Sequence, residues 1–285
     1  QKRQTPRQPF GFGNPETLAD IGQKQRQKRF TMSESVQAFY DDLAADYHEM
    51  YADWKASIRR QALALDALIR SQTAGATTRL LDCSCGIGTQ AIGLAELGYE
   101  VHATDLSPEA VERAREEAVK AGVHIEFGVA DFRTLSADVE GIFDVVLSGD
   151  NALPHLLTDS DLDLALRNIR AKMKPKGLFL ASIRDYDAMV KARPRSSPLH
   201  VVDGEGGRRI VFQVWDWEES GRTYRVQLLM LRQIEGHWQT VERVTRYRAL
   251  QRAELSERLR HTGFNEIQWH EPEQCGFFQP VVTAR

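Results

Sequence analysis

Short apolar runs alternate with amphipathic stretches through the middle of this chain. Leu80-Leu81 leads into Asp82, and Tyr99 to Thr104 leads into Asp105. Val123 to Val129 precedes Asp131-Phe132, Ile142 to Leu147 runs into Ser148, and Leu178 to Ile183 runs into Arg184. Between them, Thr89 to Leu97, Pro108 to Ala121 and Leu162 to Met173 read as helices. Gly98 and Gly122 stop the first two, and Ser107-Pro108 supplies an N-cap followed by proline at the first helical position. A continuous apolar strand such as Ile142 to Leu147 is the kind covered on both faces of a parallel sheet. The pattern predicts an α/β fold with a doubly wound, mostly parallel sheet.

Alternation stops after Asp187. Ile210 to Trp217, Tyr224 to Ile234 and His237 to Tyr247 read as three extended segments joined by Glu219-Ser220-Gly221-Arg222 and Glu235-Gly236, an antiparallel insert. Arg252 to His261 is a helix stopped by Gly263, and Phe264 to His270 and Phe277 to Thr283 form a closing strand pair. Lys174-Pro175-Lys176-Gly177 reads as a turn before the fifth strand. Upstream, Tyr40, Tyr47, Tyr51 and Trp54 recur at spacings of seven, four and three, one stripe of a helix. That stripe is either core packing or a cover over a cationic ligand. Ser57 to Ile69 continues as a second helix, with Arg59 and Arg60 near its start. Gln1 to Ser35 has few residues able to anchor a core and no apolar stretch of a secretory signal, so it is expected to be a disordered tail. The expected division is a tail over 1–35, N-terminal helices and core over 36–193, a substrate-covering insert over 194–250, and closing elements over 251–285.

Composition narrows the class. With 285 residues, 42% of them apolar, the chain can bury one substantial core. A net charge of −3 gives no electrostatic footprint for nucleic acid, and no apolar run reaches the length of a membrane span. Of three cysteines, Cys83 and Cys85 lie together in a glycine turn, which is not a disulfide framework; a reducing, cytoplasmic compartment is expected. No further Cys/His cluster completes a metal site around them.

The chemistry concentrates at strand ends. Asp82-Cys83-Ser84-Cys85-Gly86-Ile87-Gly88 has the form of a strand–turn–helix entrance in which glycine lets a ligand approach the backbone. Asp105 follows about 20 residues on, where nucleotide-binding folds place a carboxylate for ribose hydroxyls. The third glycine of the dinucleotide fingerprint is missing, which disfavours a nicotinamide enzyme. Asp131 and Phe132, an acid and an aromatic at a strand's carboxyl end, suit hydrogen bonding and stacking of an adenine. Leu106 and Ser148 flank the same strand ends. Asp150, Asn151 and His155, beyond the fourth strand, fall over the expected reactive centre, and Arg184-Asp185-Tyr186-Asp187 ends the fifth.

Together these motifs resemble the class I S-adenosylmethionine (SAM)-dependent methyltransferases, and within them the glycine/sarcosine N-methyltransferases. The resemblance runs from about Tyr40 to the C-terminus and is carried by Tyr40 through Arg60, the glycine turn, Gly149 through His155, Ala165-Leu166-Arg167-Asn168-Ile169, and Lys174 through Asp187. The string Arg-Asp-Tyr-Asp is similar to the family's R-N-Y-D. The resemblance implies a Rossmann-like SAM-methyltransferase fold, a mostly parallel seven-stranded sheet with helices on both faces and an antiparallel β insert. It also implies SAM as cofactor and methyl transfer to a small amino acid or amine, as in betaine biosynthesis. Arg184 maps onto the arginine that clamps the substrate carboxylate, Asn151, His155 and Tyr40 onto residues at the reacting centre, and Tyr51 and Arg60 onto SAM-binding positions, Arg60 on its carboxylate. Trp54, Asp82, Cys83, Gly86, Gly88, Asp105, Leu106, Asp131, Phe132 and Ser148 complete the expected cofactor set. Two departures stand out: the loop from Asp53 to Arg60 aligns better with microbial betaine-pathway enzymes than with animal ones, and Lys176 replaces a usual glycine. The alternatives are a methyltransferase of a larger metabolite, in which Arg184 is structural and paired with Asp185 or Asp187, and a protein that binds SAM without turnover. No nucleic-acid or membrane partner is expected, and a homo-oligomer is left open.

Overall fold

The computed structural model describes residues 35–73, 79–204 and 207–285. The expected tail lies outside them except for Ser35, whose Oγ accepts the Ala38 N–H at 3.1 Å and caps the first helix, α1 (Val36–Leu43). A 3-10 turn, Tyr47–Met50, leads to α2 (Trp54–Gln72), capped by Asp53 Oδ1 on the Ala56 N–H at 2.9 Å. The predicted single stripe is therefore broken into three pieces. Arg243, from the insert, donates through Nε and Nη2 to the Asp42 carbonyl at 2.9 and 2.6 Å and through Nη2 to Asp46 Oδ2 at 2.7 Å. Satisfying a terminal carbonyl from outside ends α1 where local periodicity alone would have continued it.

The alternating core follows: β1 (Arg79–Asp82), α3 (Thr89–Glu96), β2 (Glu100–Asp105), α4 (Pro108–Ala121), β3 (Glu126–Val129), α5 (Leu135–Asp138), β4 (Phe143–Ser148), α6 (Asp159–Ala171) and β5 (Met173–Ser182). After α7 (Tyr186–Ala192) come the insert strands β6 (His200–Gly204), β7 (Gly207–Trp217), β8 (Thr223–Ile234) and β9 (His237–Arg248). The chain closes with α8 (Arg252–His261), β10 (Gln268–His270), α9 (Pro272–Cys275) and β11 (Val281–Ala284).

The main sheet has the order β10-β11-β5-β4-β1-β2-β3, parallel from β5 to β3, with β11 antiparallel to β5. Its central strands β1, β4 and the second half of β5 bury both faces, as the continuous apolar runs required. Leu80, Val145, Leu147 and Leu180 face α2 and α3, while Leu81, Val146, Phe179 and Ala181 face α6 and α8. The direction of winding reverses between β1 and β4, and ligands of such sheets bind beyond the carboxyl ends at that point.

Two sequence expectations are corrected. The insert is a four-stranded antiparallel sheet, β6-β7-β8-β9, rather than three-stranded; β6 pairs with β7 from His200↔Val211 to Gly204↔Gly207. Lys174–Gly177 is not a free turn but an irregularity inside β5, between the pairs Phe143↔Met173 and Val145↔Leu178. Lys176 sits there at φ 65°, a left-handed conformation that explains why glycine suits the position. The insert joins the core through Val211, Leu228 and Met230, which pack with Phe39 and Leu43 of α1, and through Tyr224 and Tyr247, which enter the core on the α6 side.

Candidate active site

The glycine turn is built from behind. Asp82 is fully buried, and its Oδ1 accepts the Ser84 N–H at 3.2 Å. Its Oδ2 meets no partner among the described residues, and burial pushes the carboxyl up to about 7. Gly88, at φ 89°, starts α3, and a Cβ there would stand 2.9 Å from Ile92 Cδ1. Gly86, at φ 51°, has nothing within 4 Å of its Cβ position and so opens onto free space. Asp105 bridges the two turns: Oδ2 accepts the Gly86 N–H at 2.8 Å and Oδ1 the Ser107 N–H at 3.0 Å. Loss of water raises its carboxyl, and the N–H groups of Ser107, Gly86 and Leu106 act in the opposite direction.

In front of this turn lies a cavity of about 590 Å³. Gly86, Asp105, Leu106, Phe132, Cys83 and Asp131 line one side; Tyr40, Tyr47 and His155 line the other. The Ser107 hydroxyl donates to Asp41 Oδ1 at 2.6 Å, which fastens α1 over the cavity. The volume is in the range of small-molecule and cofactor sites.

A second cavity, of about 500 Å³, opens between α2, the end of β5 and the insert. Asp150 lines both cavities and is the one described residue that does. It has φ 51°, its N–H donates to Ser182 Oγ at 2.8 Å, and its Oδ2 accepts the hydroxyls of Tyr51 at 3.2 Å and Tyr47 at 3.4 Å. Gln279 Nε2 donates to Oδ1 at 3.4 Å. Burial raises the Asp150 carboxyl, against the opposing effect of the Arg184 charge.

Arg184 lines the second cavity. Its Nη1 donates to Tyr224 Oη at 3.0 Å and its Nη2 to Gln213 Oε1 at 3.1 Å, while the guanidinium lies 5.4 Å from the Trp215 ring centre and 5.0 Å from that of Tyr247. Burial disfavours its charge, but the phenolic oxygens of Tyr224, Tyr247 and Tyr186 outweigh it and raise the group above the usual arginine value. The expected alternative, a pair with Asp185 or Asp187, is overturned: Arg252 takes both, at 2.8 and 2.6 Å. Among the described residues no carboxylate lies within ion-pair distance of Arg184.

At the junction, Tyr40 Oη lies 2.9 Å from His155 Nε2 and 3.4 Å from Tyr247 Oη. Burial, with the Arg184 charge adding to it, pushes His155 down to about 3, so the imidazole is neutral at ordinary pH. Burial raises the phenols of Tyr40, Tyr47 and Tyr51 well above their usual range, so all three are donors rather than bases.

Several expected residues stand elsewhere. Trp54 is in the core, its Nε1 donating to Thr89 Oγ1 at 2.9 Å. Gly88 and Ser148 support the turn without lining the cavity; Ser148 Oγ accepts the Ser84 hydroxyl at 3.3 Å. Asp131 lines the cavity but is gripped by Arg133 at 2.6 Å; burial works against its charge, yet that guanidinium holds the carboxyl below its usual range. Arg60 and Tyr51 line the second cavity rather than the first, and Arg60 Nη2 donates to Ser57 Oγ at 2.7 Å. Asn151 lies behind the wall, its Oδ1 accepting the Arg184 backbone N–H at 3.0 Å. Sequence reasoning missed Tyr224, Tyr247, Gln213 and Trp215 altogether. The extended segments that carry them were visible, but their alternation is broken, and the register that sets Tyr224 opposite Tyr247 was not legible.

Comparison with known proteins bears on the fold. A family described as a methyltransferase domain matches residues 80–177. The glycine/sarcosine N-methyltransferase of Halorhodospira halochloris is 27% identical over 167 residues, 59% of this chain and 61% of that relative. A ubiquinone biosynthesis O-methyltransferase of Xanthomonas euvesicatoria is 36% identical over 115 residues, 40% of this chain and 46% of that one. The chain thus spans less than two thirds of the length of these curated relatives. The solved structure of the SAM-bound amino pentose methyltransferase CalS10 from Micromonospora echinaspora superposes with a TM-score of 0.61 at 18% identity, covering 96% of this chain and 99% of that one. Residues 80–177 match a methyltransferase domain, the chain has the fold of the SAM-dependent methyltransferases, and it resembles the glycine/sarcosine N-methyltransferases.

Proposed function

We propose that this protein is a SAM-dependent N-methyltransferase acting on a small amino acid or amine such as glycine or sarcosine. The observation that carries the reading is Arg184: a cation without a carboxylate partner among the described residues, held by Tyr224 and Gln213 on the wall of a cavity that adjoins the first one at Asp150.

The first cavity fits SAM. Gly86 leaves open the space a side chain would fill, Asp105 presents a carboxylate suited to ribose hydroxyls, and Phe132 offers a ring for the adenine. When bound, SAM supplies an activated methyl on a sulfonium, so no protein nucleophile is needed. The residues' contribution is orientation. Arg184 keeps further N–H donors for a substrate carboxylate, in the forked geometry that carboxylates match. A small amino acid gripped there has its nitrogen close to Asp150 and the tyrosine wall. The insert covers the cavity and keeps water from the transfer.

A second reading, O-methyl transfer to a larger metabolite, rests on the higher local identity to the ubiquinone enzyme. A labelled-methyl transfer screen over glycine, sarcosine, dimethylglycine, simple amines and phenols separates the two. Label in glycine or sarcosine supports the proposal; label only in phenols contradicts it.

A further inference from the structure

We infer that Asp150 is the base of the reaction, taking the ammonium proton of the amine acceptor before methyl transfer. The inference rests on the N-methyltransferase reading and goes beyond it, because an ammonium has no lone pair with which to attack.

Position is the first argument. Asp150 is the one described residue that lines both cavities, and the one carboxylate on the wall of the second. A zwitterion whose carboxylate lies on Arg184 directs its ammonium toward an anion, and Asp150 is the anion present. The backbone is committed to this placement: Asp150 sits at φ 51° and Asn151 at φ 65°, with both N–H groups tied to Ser182. Aspartate and asparagine are the non-glycine residues that most readily take a left-handed conformation, so this loop holds the Asp150 carboxylate in one place.

Elimination is the second. The charged and titratable groups that act on Asp150 are Tyr40 from α1, Tyr47 and Tyr51 from the connection to α2, Tyr247 from β9 and Arg184 from the loop after β5. The tyrosines hold their protons and Arg184 stays charged. His155 is too weakly basic, and its Nε2 is engaged by Tyr40. Burial raises the carboxyl of Asp150, which moves it toward the range of a useful base.

The balance is simple. The ammonium N–H breaks, its proton passes to a carboxylate oxygen of Asp150, and the nitrogen keeps the electron pair. As the nitrogen–carbon bond forms, the carbon–sulfur bond breaks and its pair stays on sulfur. The Asp150 proton leaves to solvent when product departs.

The test uses Asp150→Asn and Asp150→Gly, both residues at home in a left-handed conformation. Turnover on glycine and sarcosine is measured against pH at saturating SAM, with SAM affinity by calorimetry. Both variants should keep SAM affinity, lose about 10²- to 10⁴-fold in kcat near neutral pH, and regain rate with rising pH as neutral amine arrives from solution. Added formate should partly restore Asp150→Gly. Variants within about threefold of the wild-type kcat, a pH profile of unchanged shape, or lost SAM affinity in both would overturn the assignment. A wild-type enzyme that methylates no amine overturns the underlying reading, which is a different result from active wild type with unaffected variants.

Discussion

The Arg184 backbone N–H donates to Asn151 Oδ1 at 3.0 Å, tying the end of β5 to the loop after β4. That bond sets where the Arg184 side chain begins and fixes Asn151 in its left-handed conformation. Asn151→Ala leaves a part-buried N–H without an acceptor and places a poorly suited residue at φ 65°. Stability should fall by about 2–4 kcal/mol, combining the lost acceptor with the backbone cost. Denaturant unfolding measures this, and a change below about 0.5 kcal/mol contradicts it.

Asp105 spends two contacts on Gly86 and Ser107 and still lines the first cavity. If it also holds ribose hydroxyls, Asp105→Ala should weaken SAM binding by about 1–3 kcal/mol, the contribution of a charged acceptor. Calorimetry on a folded variant decides; unchanged affinity removes Asp105 from the cofactor site.

Asp82 gives a pH prediction. Its folded carboxyl titrates near 7, whereas an unfolded aspartate titrates near 4. Between those values the folded ligand-free protein holds a proton that the unfolded chain releases, so Asp82 costs stability as pH rises, by at most about 1.4 kcal/mol per pH unit. Asp82→Asn removes that cost. The stability difference, variant minus wild type, should therefore climb from about pH 4 to about pH 7. A difference that does not vary with pH contradicts a raised carboxyl at this position.

Much of this was legible in the chain. The strand ends Asp82, Asp105 and Arg184 mark the carboxyl edge because short apolar runs set between helical stretches and glycine stops read as strands of a parallel sheet. What stayed hidden depends on contacts distant in sequence. Tyr40, Tyr47 and Tyr51 do gather in space, with Tyr40 and Tyr47 stacked at 6.1 Å and Tyr47 and Tyr51 at 6.4 Å, but not on one helix. Arg232 and Arg243 from the insert hold Asp46, at 2.5 and 2.7 Å, and no local pattern reports that.

The same holds for the site. Asp131 looked free until Arg133, two residues on, folded back onto it. The alternative partners of Arg184, Asp185 and Asp187, are taken instead by Arg252. In both cases the residue type was informative, while the partner was set by side-chain geometry.

The most direct measurement is catalytic efficiency on glycine and on methylamine, its decarboxylated counterpart, in wild type and in Arg184→Lys. A guanidinium that grips the substrate carboxylate offers two parallel donors that lysine cannot reproduce. Wild type should prefer glycine, and Arg184→Lys should lose about 10- to 100-fold on glycine, the size of one charge-assisted hydrogen bond, while methylamine turnover and SAM affinity change little. Equal losses on both acceptors, or a wild type indifferent to the carboxylate, would contradict the account.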